Sequence, residues 1–110
     1  MIMLYYVSMN SNKKVTDNNI MQICQAISKM KTTDEVYNFL FEVLTDAEID
    51  ALSKRWRIMN MLFNGATQRE VAKELHVSLC KITRGAAILK NKNAITNKIL
   101  IKEKKNDIKG

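Results

Sequence analysis

The sequence predicts an all-α fold of about six helices that contains a helix-turn-helix. Its 110 residues include no proline and only three glycines. Apolar residues recur at the i, i+3, i+4, i+7 spacing of one helix face, and helix start signals divide the chain into six segments. We expect a disordered arm over residues 1–15, a single helical domain over 16–105 with the helix-turn-helix at 67–90, and a frayed tail over 106–110. The arm would largely disappear if translation started at Met9 instead of Met1.

Start signals mark the first three helices. Asp17 precedes the first apolar face. That face consists of Ile20, Ile23, Cys24, Ile27 and Met30. Thr32 with Glu35, and Thr45 with Glu48, have the spacing of a capping box, in which the threonine hydroxyl and the glutamate carboxylate each accept a backbone N–H at the helix start. The sequence therefore predicts helices that begin after residues 17, 32 and 45.

Similar signals bound the later helices. Gly65 is expected to end the third helix, because glycine suits the left-handed backbone that follows many helices. Thr67 and Glu70 form another capping box, which opens a short helix through residue 75. Ser78 can cap the next helix, which runs to about residue 90. The last helix is expected over residues 94–105.

Residues 67–90 fit the geometry of two helices packed across a tight turn. Only His76 and Val77 separate the helices, and histidine tolerates the left-handed region better than most residues. Ala72 is small where the helices must approach. The other inner positions are Val71, Leu75, Ile82, Gly85, Ala86 and Leu89. A helical hairpin used for protein contact would share this apolar pattern. The residues of the outward face therefore have to distinguish such a hairpin from a DNA-binding motif.

The outward face of the second helix has the composition of a surface that reads DNA. At 100° per residue, Cys80, Thr83 and Arg84 project away from the apolar face. Thr83 can reach a base edge or a phosphate, and Leu79 or Cys80 can touch a thymine methyl. Nearby cations and the amides at the helix N-termini can bind phosphates. The predicted DNA contacts are Arg69, Lys73, Ser78, Leu79, Cys80, Lys81, Thr83 and Arg84.

Charge is divided unevenly along the chain. Residues 1–53 carry four Lys and seven Asp or Glu, whereas residues 54–110 carry fourteen Lys or Arg and four acids. A basic half of this size indicates a polyanionic partner, although a need for solubility alone would also favour it. Double-stranded DNA is the leading interpretation. The alternative is a basic helical adaptor that binds RNA or a ribonucleoprotein through the lysine-rich tail at 90–109.

Arg55 lies inside the apolar arc of the third helix on a helical wheel. A guanidinium among core residues needs an acceptor, because an unpaired buried charge is costly. Arg55 either pairs with a carboxylate such as Glu42 or Glu70, or extends its head to the rim, or faces a cavity that binds an anionic small molecule. By the same reasoning, Arg84 is either a phosphate contact or a second wall of that cavity.

Other function classes lack their characteristic residues. Cys24 and Cys80 are far apart with no CxxC motif, and His76 is the single histidine, so we expect neither a metal site nor a disulfide. No Cys–His pair, carboxylate–histidine group or phosphate-binding glycine loop indicates an enzyme, and we expect no catalytic residue. The apolar start MIMLYYVSM has no preceding cation and is too short to span a bilayer. We therefore expect a cytoplasmic protein with reduced thiols and no membrane partner.

Two stretches resemble the tryptophan repressor family and its less characterised bacterial relatives. They are LTDAEIDALSKRWRI at 44–58 and FNGATQREVAKELHVSLCKITRGAAILK at 63–90. The resemblance implies an intertwined, all-helical homodimer that binds operator DNA and represses transcription. It also implies L-tryptophan as a corepressor that lies between the core and the helix-turn-helix.

The resemblance also assigns residues. The two arginines that enclose the ligand in the family match Arg55 and Arg84, and the glycine beside the ligand ring matches Gly85. The backbone and hydroxyl contacts to the amino acid match Leu44 and Thr45. The operator contacts match Arg69, Leu79, Cys80 and Thr83.

Two positions of the ligand site depart from the family pattern. Lys81 stands where the family has threonine, and Ile88 stands where it has the serine that helps to hold the ligand's amino group. A lysine near a ligand ammonium repels it, and isoleucine offers no acceptor for its hydrogen bonds. These substitutions concern the ligand site and leave the predicted DNA contacts in place.

Overall fold

The computed structural model describes residues 18–109, with side chains through residue 106. Within that range the chain forms six α-helices and no strand, which confirms the all-α prediction. The helices are α1 (Asn18–Lys29), α2 (Thr33–Val43), α3 (Asp46–Phe63), α4 (Gln68–Leu75), α5 (Leu79–Lys90) and α6 (Ile95–Lys109). The predicted arm over 1–15 and the cap at Asp17 lie outside the described residues. No helix in this range is long and apolar enough to cross a bilayer.

The chain divides into two compact units between Val43 and Leu44. The first contains α1 and α2, neither of which has a buried residue. Tyr37 and Phe41 stack on α2 with ring centroids 4.5 Å apart, although both rings are exposed. A pair of helices with no buried side chain has little hydrophobic stabilisation of its own. The single domain predicted over 16–105 stays a prediction.

The cap of α2 differs slightly from the predicted capping box. The Thr32 hydroxyl accepts a hydrogen bond from the Glu35 backbone N–H at 3.1 Å, as expected. The Glu35 carboxylate, however, accepts the N–H of Lys31 at 3.3 Å instead of the N–H of Thr32. The helix still begins after residue 32, because the Thr32 hydroxyl caps the N–H of Glu35 in its first turn.

The second unit is built around α3, which packs against both α4 and α5. Each of these three helices contributes one fully buried side chain: Ile58, Val71 and Ile82. The predicted Thr45–Glu48 capping box at the start of α3 is confirmed by both of its hydrogen bonds, at 2.8 and 3.2 Å. This small core fixes the position of the helix-turn-helix on α3.

Gly65 ends α3 as predicted. Its φ of 101° lies in the region that favours glycine. Its N–H donates to the Leu62 carbonyl at 3.1 Å, and the Ala66 N–H donates to the Met61 carbonyl at 3.0 Å. These two bonds form a Schellman motif, which satisfies carbonyls that the helix end would otherwise leave unpaired.

The last helix is longer than predicted. We expected it to end at Lys105, but α6 continues to Lys109. The residues after Lys105 contain no glycine or proline until Gly110, so nothing local stops the helix earlier. Asn97 is buried on α6, and its side-chain amide donates to the carbonyls of Leu89 and Asn91, both at 2.8 Å. These bonds fasten α6 to the end of α5.

His76 adopts the left-handed conformation, with φ 53° and ψ 43°, at the end of α4. This confirms that histidine occupies the backbone position where glycine is common. A residue with a Cβ is strained there, so His76→Gly should stabilise the fold by about 1 kcal/mol. We expect the midpoint of thermal unfolding, measured by circular dichroism, to rise by about 4 °C.

Gly65→Ala is the matched control for this prediction. A Cβ at Gly65 would have no neighbour within 4 Å, so its effect would report backbone strain alone. We expect the opposite sign, a lower unfolding midpoint. An unchanged or lower midpoint for His76→Gly would contradict strain at His76.

Candidate nucleic-acid interface

The helix-turn-helix is held together by the apolar residues that the sequence predicted. Val71 on α4 and Ile82 on α5 are fully buried and share the core with Ile58. Ala72, Leu75 and Val77 are partly buried and pack against these three side chains. The inner face of the motif is therefore confirmed, and its packing determines which side chains of α5 point outward.

α5 lies close to α3 at Gly85, which is buried. A Cβ built there would lie 3.0 Å from the Cγ2 of Ile58 and 3.5 Å from the Cγ of Met59. Any larger residue would have to displace one of these side chains. Glycine therefore allows the two helices to contact each other directly at this point.

The cap of α4 is well formed, whereas the cap of α5 is not. The Thr67 hydroxyl accepts the Glu70 N–H at 3.1 Å, and the Glu70 carboxylate accepts the Thr67 N–H at 2.8 Å. Hydrogen bonds that Thr67 donates to the Glu70 carboxylate, from its backbone N–H first and its hydroxyl second, lower the pKa of Glu70 below its usual 4.5. Because the folded-state pKa is lowered, this stabilisation is present above pH 4.5 and is lost as the pH falls through the folded-state pKa.

Ser78 occupies the predicted N-cap position of α5 with extended backbone, but its hydroxyl makes no capping hydrogen bond. The predicted side-chain cap is therefore wrong. The physical consequence is that the first N–H groups of α5 have no side-chain acceptor. They and the Ser78 hydroxyl are free to bind a ligand oxygen.

All eight predicted DNA contacts are exposed. They are Arg69, Lys73, Ser78, Leu79, Cys80, Lys81, Thr83 and Arg84. Among the described residues the ion pairs are Lys54–Asp50 and Arg57–Glu74, each at 2.9 Å. The cations of the predicted interface take no part in either pair, so their charges are not neutralised by the described chain.

Acidic side chains are absent from this part of the sequence. No Asp or Glu occurs between Glu74 and Glu103, a stretch that includes the whole of α5. Both acids of α4 are already engaged, Glu70 in its capping box and Glu74 with Arg57. The face formed by α4 and α5 is therefore electropositive and fits a polyanion.

A small cavity of about 60 Å³ lies between α3 and α5. It is lined by Arg55, Met59, Lys81, Arg84, Gly85 and Ile88. The structure thus brings together three residues that the resemblance assigned to the ligand, Arg55, Arg84 and Gly85. It also places both departures from the family pattern, Lys81 and Ile88, in the same wall.

The environment of Arg55 differs from the buried position that the helical wheel indicated. Arg55 is exposed and makes no ion pair with the described residues of its own unit. The carboxylate of Glu70, one predicted partner, is bound to Thr67 instead. Pairing with Glu42 stays a prediction. The wheel was misleading because α3 buries only Ile58 within this chain, while its neighbours Leu52 and Trp56 stay exposed.

Leu44 and Thr45, the other predicted ligand residues, do not line the small cavity. Leu44 lines a wider hollow of about 350 Å³ together with Glu48, Ala51, Leu52 and Arg55. The Thr45 hydroxyl already accepts the N–H of Glu48 at 3.2 Å. Arg55 is therefore the residue shared by both hollows.

Sequence reasoning missed two contacts that hold the interface in place. Arg57 donates to the Glu74 carboxylate at 2.9 Å and links α3 to α4. The buried Asn97 fixes α6 to the end of α5. Neither has a local signal, because the partners lie on different helices and meet only after the chain folds.

The profile of the family described as "Trp repressor protein" matches residues 18–104, which include all the helices that form the interface. The chain belongs to this family. Its members are DNA-binding transcriptional regulators, so the family assignment supports a DNA-binding repressor.

Individual relatives agree with this assignment. A Trp operon repressor homolog from Xylella fastidiosa strain M23 is 43% identical over 72 residues, which is 64% of this chain and 78% of the relative. A Trp operon repressor homolog from Chlamydia caviae is 34% identical over 73 residues, or 66% of this chain and 69% of the relative. No solved structure matches the chain significantly.

Proposed function

We propose that the chain is a sequence-specific transcriptional repressor that binds operator DNA as a homodimer in the cytoplasm. The unneutralised positive charge of the helix-turn-helix carries this proposal. The N-terminal part of α5 enters the major groove, where Leu79, Cys80 and Thr83 meet base edges. Arg69, Lys73, Lys81 and Arg84 bind phosphates, together with Ser78 and the free N–H groups at the start of α5.

The homodimer is supported by apolar side chains that the described chain leaves exposed. Neither α1 nor α2 buries a residue, and α6 adds further exposed isoleucines. The large apolar side chains concerned are Ile20, Ile23, Tyr37, Phe41, Val43, Leu52, Trp56, Ile95, Ile99 and Ile101. Exposed apolar surface on this scale is typical of a protein that associates. A second copy that interlocks with these helices would cover it and complete a single domain over 16–105.

A small-molecule effector is the second part of the proposal. The cavity next to Gly85 lies where α5 meets α3, so a ligand there would contact both the core and the helix that enters the groove. Such a ligand would shift the orientation of α5, and with it the affinity for DNA. The size of the change is set by the difference between the ligand's binding free energies for the two orientations. Arg55, Arg84 and Gly85 line the cavity, Leu44 lines the wider hollow that shares Arg55 with it, and Thr45 follows Leu44 in the chain.

Binding to duplex DNA tests this proposal directly. A preferred duplex is first selected from a random pool, and its affinity is then measured between 50 and 200 mM salt. We expect a palindrome whose half-sites lie about one helical turn apart. If the four cations of each protomer bind phosphates, the logarithm of the association constant should fall with the logarithm of salt with a slope of about −7. Equal, weak binding to every duplex would contradict a sequence-specific repressor.

The RNA-binding adaptor is the alternative, and exposed lysines on α6 favour it. Lys98, Lys102 and Lys105 recur at helical spacing and are all exposed. Competition between the selected duplex and a structured RNA of equal charge separates the two functions. We expect the duplex to compete more strongly, because the groove-reading residues lie on α5. A clear preference for RNA would overturn the repressor in favour of the adaptor.

A further inference from the structure

The cavity between α3 and α5 has a mostly apolar surface and three cationic residues in its lining. Met59, Gly85 and Ile88 provide the apolar part. Arg55, Lys81 and Arg84 provide three cations, and no acidic side chain lines the cavity. None of these three cations forms an ion pair among the described residues. The surroundings therefore favour a ligand whose own charge is negative.

This lining does not fit L-tryptophan, the corepressor that the family resemblance implies. Its carboxylate would suit Arg55 and Arg84, and its ring could lie against Gly85. Its ammonium, however, would share the cavity with the ammonium of Lys81. Ile88 offers only methyl and methylene groups, and the Met59 thioether is a weak acceptor, so the lining offers the ammonium no strong hydrogen-bond acceptor among its side chains. The cavity therefore disfavours the ammonium group of a free amino acid.

One acidic residue, Glu48, lies in the hollow that adjoins the cavity, but it does not cancel the positive charge of the three cations. Glu48 lines the wider hollow on the other side of Arg55. Its carboxylate accepts the N–H of Thr45 at 2.8 Å as part of a capping box. Glu48 is one acid against three cations, so the combined site keeps a net positive charge.

We propose that the effector of this protein is an apolar carboxylate that lacks an ammonium group, and that Lys81 determines this specificity. The inference rests on the proposed gating of α5 by a small molecule and names the ligand's chemical class. The carboxylate binds the three cations, and the apolar body lies against Met59, Gly85 and Ile88. A cavity of about 60 Å³ accommodates the charged group and a few carbons, so the rest of the body extends toward the rim.

Matched ligand pairs test this inference by calorimetry with the full chain. The pairs are L-tryptophan with indole-3-propionate, and L-phenylalanine with 3-phenylpropionate, which differ only in the amino group. We expect each propionate to bind at least about tenfold more tightly than its amino acid. Lys81→Thr should reduce this ratio to less than about threefold, whereas Lys81→Arg should keep it. Lys90→Thr removes an exposed lysine of α5 outside the cavity and should leave the ratio unchanged.

Each result supports or overturns the inference. An amino acid that binds as tightly as its propionate overturns it, and so does a ratio that Lys81→Thr leaves intact. If the wild-type chain binds its selected duplex but none of the four compounds, the inference fails and the repressor stands. If the propionates bind selectively and no duplex is preferred, the repressor fails and the ligand class stands. Unchanged circular dichroism would show that the Lys81 variants fold, as its exposure leads us to expect.

Discussion

Replacing Phe41 with glutamate should convert the proposed dimer to a monomer and weaken binding to the selected duplex by about 10²- to 10⁴-fold. Phe41 is 48% exposed and stacks on Tyr37, which is 59% exposed, and neither described helix of this unit buries a side chain. In the proposed dimer the ring is covered by the second copy, and a carboxylate there would lose its solvation without a partner. A monomer binds one half-site and loses the gain that joining two half-site contacts provides.

Sedimentation equilibrium and titration of the selected duplex measure this effect. Phe41→Leu is the control, because it keeps an apolar side chain at the same position and should retain both the dimer and most of the affinity. The monomeric Phe41→Glu chain should still contain the helix-turn-helix, since Phe41 lies outside the unit that holds the core. A Phe41→Glu protein that stays dimeric, or a wild-type chain that is already monomeric, would contradict the proposed assembly.

The features that the sequence predicted well are those that neighbouring residues determine. The Thr45–Glu48 and Thr67–Glu70 capping boxes close within one helical turn. Gly65 ends α3 because its own backbone prefers the required φ. The apolar face of the helix-turn-helix also follows from periodicity, since any packing of the two helices has to bury Val71 and Ile82.

The errors arose where the outcome depends on distant partners. Periodicity places Arg55 in an apolar arc, but it does not show whether another element covers that part of α3. Ser78 has the right residue type and backbone for a cap, yet its hydroxyl bonds no N–H of α5. The Asn97 and Arg57 contacts join separate helices, so their sequence spacing gave no indication of them.

The candidate site shows the same division. The exposed face of α5 could be predicted from helical geometry alone. The cavity was only one of several interpretations of Arg55, because its lining residues lie on different helices and come together through the packing of Gly85 near Ile58. The resemblance placed these residues near a ligand. The structure adds that Lys81 and Ile88 line the same cavity. Their substitution therefore affects which ligand charge the cavity favours.

The second large effect should follow from Ile82→Ala, because the second unit depends on very few buried side chains. Ile82 is fully buried and packs with Ile58 and Val71, one residue from each of three helices. Truncating it leaves a cavity where α4 and α5 meet α3 and should cost about 2–5 kcal/mol. We expect the midpoint of thermal unfolding to fall by about 10 °C or more.

Leu79→Ala on the same helix separates folding from recognition. Leu79 is 63% exposed, so its truncation should change the free energy of unfolding by less than about 0.5 kcal/mol. It should nevertheless weaken binding to the selected duplex, because Leu79 is proposed to touch a thymine methyl. Ile82→Ala should weaken that binding only as the fraction of folded protein falls. If Ile82→Ala left the unfolding midpoint unchanged, the three buried residues would not be the core that positions α5. If Leu79→Ala left duplex affinity unchanged, the proposed orientation of α5 in the groove would be wrong.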